Sequence, residues 1–133
     1  MVIEVEKEKV FVPTWNGNAE LPESEQIRVT HRFPKAGERK KYIYTKNVQI
    51  SSGGEMRDLE YVQDEEGLVR LLVTKITGLE IKTGKKSVKV ESGADLYETP
   101  CVPQALVSEI EQRILRATPE VDADFLSCAS PST

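Results

Sequence analysis

The chain has 133 residues, 30% of them charged and 38% apolar, with 18 basic against 22 acidic side chains and a formal net charge of −4. That is the length of one domain, able to bury roughly two thirds of its unfolded surface, and a mean hydropathy of −0.41 describes a soluble protein with a modest core. No stretch approaches the roughly 20 apolar residues that span a bilayer, and an acidic total argues against a general nucleic-acid binder.

The start, "MVIEVEKEKV", alternates charge with apolar residues and lacks the apolar run of a signal peptide. The expected compartment is therefore the cytoplasm. Val2, Ile3 and Val5, then Val10, Phe11 and Val12, predict two short strands or one bulged strand, because the alternation shifts phase between the halves. Pro13 ends the run, since proline cannot donate to a ladder. Trp15, the only tryptophan, then enters an Asn16-Gly17-Asn18 turn. The favoured reading makes it a cap on one edge of the core; an exposed Trp would be an interface anchor. Ile27, Val29, His31 and Phe33 alternate with Arg28, Thr30 and Arg32, the clearest strand pattern in the chain. A short helix over about 35–41 and a strand from Tyr42 to Ile50 follow, then a flexible "SSGGE" loop at 51–55.

Asp64 is an N-cap candidate for a helix over about 64–77, with Glu65 and Glu66 in its first turn. Leu68, Leu72, Ile76 and Leu79 recur at helical spacing and Gly78 suits a helix stop, although Val69, Val73, Thr74, Ile76 and Thr77 are β-branched and argue for a strand. Residues 79–91 read as a hairpin around Gly84-Lys85-Lys86, with Leu79, Ile81, Val88 and Val90 facing the core. A second main helix covers about 103–117. Its stripe is Leu106, Val107, Ile110, Ile114 and Leu115, and Glu109 with Arg113 makes an i,i+4 pair. The expected fold is α+β, a small single domain over 1–126 with a flexible tail at 127–133.

No constellation of catalytic residues is visible. His31 is the only histidine, which excludes a two-His metal site, and on an apolar strand face it reads as a core histidine. "TGKKS" at 83–87 lacks the glycine spacing and following helix of a phosphate loop. Cys101 and Cys128 are 27 residues apart in no CxxC pair, which predicts two free thiols. The carboxylates lie in solvated runs, so the chain reads as a non-enzyme with no cofactor and no metal. Charge is uneven: Arg28, Arg32, Lys35, Arg39, Lys40, Lys41 and Lys46 face only Glu38, a local +6, whereas the stretch from Glu91 onward is −6. Such asymmetry fits head-to-tail self-association or a charged partner. Phe33, Tyr42 and Tyr44 among those cations could also stack single-stranded nucleic acid. An aromatic content of 6% is thin for carbohydrate stacking.

Four segments carry a family resemblance: "VFVPTWNGNAELPESEQIRV" at 10–29, "ERKKYIY" at 38–44, "LVRLLVTKITGLEIKTGKKSVKVESGADLYETP" at 68–100 and "LVSEIEQRILRA" at 106–117. Together they resemble small tail-region proteins of long-tailed bacteriophages, closest to the tail assembly chaperones. The resemblance spans most of the chain through soft motifs: "GLE" after Ile76, the Gly-Lys hairpin, and "LYETP" leading into a helix. It implies a non-catalytic role in the cytoplasm of a bacterial host, with the tape measure protein and the major tail protein as partners. An apolar surface for an amphipathic helix is then required; Leu106, Ile110 and Ile114, or Leu68, Leu72 and Ile76, are the candidates, with Trp15 as a possible anchor. A virion structural subunit of the tail or head–tail region is the alternative, and a single-stranded nucleic-acid module the third.

With one histidine and separated cysteines, neither chelator nor reductant should shift the melting temperature; a clear drop with either would reveal a ligand set or a staple that the spacing does not suggest.

Overall fold

The computed structural model describes residues 1–49 and 57–118. In chain order the elements are β1 (Glu8–Phe11), two 3-10 turns (Trp15–Glu20 and Glu23–Glu25), β2 (Arg28–Arg32), α1 (Ala36–Lys41), β3 (Ile43–Gln49), β4 (Arg57–Gln63), α2 (Glu65–Leu72), β5 (Val73–Thr77), β6 (Glu80–Thr83), β7 (Lys86–Lys89), α3 (Gly93–Glu98) and α4 (Gln104–Arg116). The α+β class is as expected. A three-stranded sheet in the order β1-β2-β5 carries the core, and β3-β4 and β6-β7 are separate antiparallel pairs. The loop at 51–55, Cys128, the boundary at 126 and the tail at 127–133 lie outside the described residues.

The long connection between β1 and β2 is held by a buried amide. Asn18 Nδ2 donates to the carbonyls of Pro13 (2.7 Å) and Ile27 (3.0 Å), and its Oδ1 accepts from the Ile27 N–H at 2.7 Å. A loop whose backbone groups are taken out of water must find such partners, and here one side chain supplies three of them. Asn16 and Gly17, both at positive φ, turn the chain so that this amide faces inward.

The helix expected over 64–77 is two elements. Asp64 caps it as predicted, accepting from the Gly67 N–H at 3.0 Å, but α2 ends at Leu72 and the chain continues as β5. Propensity explains the switch, because Val73, Thr74, Ile76 and Thr77 are all β-branched. The apparent helical spacing has another origin. β2 pairs Thr30 with Lys75 and His31 with Val73, leaving Thr74 as an extra residue. That bulge lets Val73 and Ile76, three apart, both face the core. Gly78 accordingly ends a strand and not a helix. Its φ is +79°, and a Cβ there would collide with the Gln26 carbonyl oxygen.

The core joins Phe11, Ile27 and Val29 to Leu68, Val69 and Leu72 of α2, to Val73, Ile76, Leu79 and Val90, to Leu96 of α3, and to Leu106, Val107, Ile110 and Ile114 of α4. Ser92 caps α3, and Gly93 lies so close to the Val69 carbonyl that a Cβ would sit 2.5 Å from its oxygen. In the 79–91 hairpin Leu79 and Val90 are buried and Ile81 half-buried, but Val88 faces water, contrary to expectation. The Glu109–Arg113 pair does not form either. Glu109 instead accepts from the Thr14 and Trp15 N–H groups at 2.6 and 2.9 Å, tying α4 to the first 3-10 turn. At the other end of the chain β1 begins only at Glu8, and Val5 makes an isolated bridge, so the expected first strand is shorter than predicted.

Asn18→Ala should cost about 2–4 kcal/mol in chemical denaturation, since two carbonyls and one N–H lose a buried partner. Asn18→Asp should be at least as damaging, because a carboxylate keeps the Ile27 N–H but turns acceptors toward two carbonyls. An unchanged denaturation midpoint for both would show that the amide is dispensable.

Candidate functional site

All six stripe residues proposed from sequence as partner contacts are core. Leu68, Leu72 and Ile76, like Leu106, Ile110 and Ile114, are buried in the one hydrophobic core. In the folded monomer neither stripe is a surface, so neither can receive a partner helix without opening the domain. Trp15 is half-buried and its side chain packs on the core, while its backbone N–H donates to Glu109.

The apolar surface lies elsewhere. Val2, Ile3, Val5 and Val10 are 79%, 54%, 51% and 46% exposed, and β1, which follows the first three, is an outer strand of its sheet. At the start and end of the β3–β4 pair, Ile43 and Tyr61 are also exposed. The sequence pattern contained this arm, but its alternation looked like that of an ordinary half-buried strand.

The basic segment is partly neutralised by its own neighbours. Arg32 makes a bidentate pair with Glu38 at 2.8 and 2.7 Å, and Arg28 pairs with Glu23. Lys35, Lys40 and Lys41 remain exposed, while Phe33 packs edge-on against His31 and Tyr42 packs on the core. Stacking of nucleobases therefore has only part of the aromatic platform that the sequence suggested.

His31 is buried between Phe11 and Phe33, with ring centroids 5.8 and 5.6 Å away. It forms the floor of a cleft of about 670 Å³ lined also by Lys9, Phe11, Glu109, Gln112, Arg113 and Arg116. The Arg113 guanidinium lies 5.7 Å from the centre of the Phe11 ring. Residues 9, 31, 113 and 116 meet only through tertiary packing, and nothing in their spacing could have signalled it. Burial lowers the His31 pKa below 6.5, a backbone hydrogen bond at Arg32 opposes this, and the nearby charges of Lys9 and Arg113 lower it further. On another face, burial is the main reason the Tyr97 phenol is raised above its usual range; its hydroxyl donates to Glu111 at 3.0 Å.

Cys101 is an exposed free thiol. Among the described residues no group of three or more His, Cys, Asp or Glu side chains could hold a metal ion, and no helix is long and apolar enough to cross a membrane. Compared with family models, curated proteins and solved structures, the chain matches none.

Among the described residues, His31 and Glu38 contribute to the acid side of the stability profile. His31 has a depressed folded pKa, so the unfolded chain takes up the proton first; stability is full above about pH 6.5 and falls as pH drops through that value. Glu38 is held at about 2, chiefly by its hydrogen bond from Arg32, so its contribution is present above 4.5 and is lost as pH falls toward 2. Thermal melts across this range should show two phases. His31→Gln should flatten the first phase and Glu38→Gln the second, and a profile unchanged by either substitution would contradict the assignment.

Proposed function

We propose that this protein is a non-catalytic assembly factor of long-tailed bacteriophages, a tail assembly chaperone that acts on the tape measure protein in the cytoplasm of a bacterial host. The resemblance of segments 10–29, 38–44, 68–100 and 106–117 supplies the biological setting. The observation that carries the interaction reading is the apolar arm: Val2, Ile3 and Val5 stand in water ahead of an outer strand. Exposed aliphatic side chains in a row, next to backbone groups on a sheet edge, suit docking of an apolar segment or addition of a strand. With both helical stripes used in the core, the arm replaces them as the surface for the tape measure protein. The major tail protein, the second partner in this reading, would meet a different face, for which exposed Tyr61 and Ile43 are the candidates.

The same arm also suits the alternative, a virion subunit in which it reaches a second copy of the chain. The two readings differ in what happens to the protein: a chaperone leaves the finished particle and a structural subunit stays.

Co-expression should keep a tape measure fragment soluble, and the complex should persist from about 0.1 to about 0.5 M salt, because burial of apolar area at roughly 25 cal/mol per Å² is not screened by ions. Val2→Asp with Ile3→Asp should weaken the complex at least about tenfold while leaving the melting temperature unchanged, since both positions lie outside the core. Binding that survives this double variant would reject the arm as the surface. Recovery of the protein in purified particles would replace the chaperone reading with the structural one. Salt-sensitive oligonucleotide binding lost with Lys40→Glu and Lys41→Glu would favour the nucleic-acid reading instead.

A further inference from the structure

The cleft above His31 has a charge composition that the assembly role does not use. Among the described residues its lining contributes Lys9 from β1, Arg113 and Arg116 from α4, and the carboxylate of Glu109. That carboxylate is already committed: Glu109 accepts from the Thr14 and Trp15 N–H groups and from the Thr14 hydroxyl. Neither Arg113 nor Arg116 makes an ion pair among the described residues; Arg113 lies over the Phe11 ring.

We propose that this cleft is a binding site for a small oxyanion of the sulfate or phosphate class, held by Arg113 and Arg116 over His31. Guanidinium groups present paired donors that match the oxygens of such an ion. A volume of about 670 Å³ is also within the range of small-ligand sites, about 300–1,000 Å³.

His31 makes the site pH-sensitive. Among the described residues the charged groups around it are Lys9 on β1 and Glu109, Arg113 and Arg116 on α4, while β5 places the uncharged Val73 opposite. Without an anion, burial and the charges of Lys9 and Arg113 lower the imidazole's pKa. A bound dianion reverses that local field and favours the imidazolium, so by linkage protonation tightens anion binding.

As the only histidine, His31 gives a single imidazole signal for nuclear magnetic resonance. The full chain is titrated from about pH 8 to about pH 5 in sodium sulfate and in sodium chloride at equal ionic strength. Sulfate is the probe because its charge stays constant over this range, whereas phosphate titrates near neutrality. The His31 midpoint should lie at least about half a pH unit higher in sulfate, which corresponds to about threefold tighter binding to the protonated form. In Arg113→Gln/Arg116→Gln the difference should vanish; Arg116→Gln alone, which leaves the contact with Phe11 intact, should reduce it. Melting temperature gives a second measure. Sulfate should stabilise the wild type more than the double variant, and by a wider margin at about pH 5.5 than at about pH 8, which sets site binding apart from general salting-out. Equal midpoints in the two salts, or a sulfate effect that the double variant retains, would overturn the proposal.

Discussion

Three hydrogen bonds at one buried amide organise this domain. Asn18 joins the end of β1 to the start of β2 by holding Pro13 and Ile27, so the intervening polar segment folds down as two 3-10 turns. The registered pairing of Phe11 with Val29 and of Lys9 with His31 follows from where this connection returns the chain. Glu109 then fixes the same connection from above, because its carboxylate accepts from the N–H groups at the start of the first turn. The sheet, its covering helix and the loop between its strands therefore share one polar hinge of satisfied groups.

That hinge decides the electrostatics of the adjoining cleft. A Glu109 paired with Arg113 on the helix surface would have neutralised one guanidinium. Turned instead toward Thr14 and Trp15, it leaves Arg113 to the face of Phe11 and leaves Arg116 without an acidic partner among the described residues. Burial between two phenylalanines, together with the charges of Lys9 and Arg113, lowers the pKa of His31. One carboxylate serves the fold and, through its direction, leaves Arg113 and Arg116 without an ion pair among the described residues.

The helices illustrate why amphipathic pattern alone does not identify a binding face. A stripe such as Leu106, Ile110 and Ile114 has the same chemistry whether it meets the protein's own sheet or a partner's helix. In a domain of this size there is too little other apolar surface to enclose a core, and both stripes are consumed internally. Among the apolar residues left outside, Val2, Ile3, Val5 and Val10 precede or line an outer strand, where the sheet has no neighbour to cover them.

Local chemistry made much of the fold legible in the sequence. Alternation at 27–33 located β2, the turn glycine and flanking β-branched residues located the β6–β7 hairpin, and Asp64 marked where α2 begins. Each rests on near neighbours, whose geometry the backbone period sets directly. What tertiary structure alone decided involves residues far apart or a count that breaks the period. The bulge at Thr74 gave a strand the three-residue spacing of a helix, which is why Ile76 read as part of a helical stripe. β4 and α3 went unread beside stronger signals, and Glu109 chose a partner some 95 residues away over one four residues away. The cleft brings together positions 9, 31, 113 and 116, and no rule of spacing connects them. Only the packing of α4 across β1 and β2 places those charges around one buried imidazole, because burial and direction are properties of the assembled core.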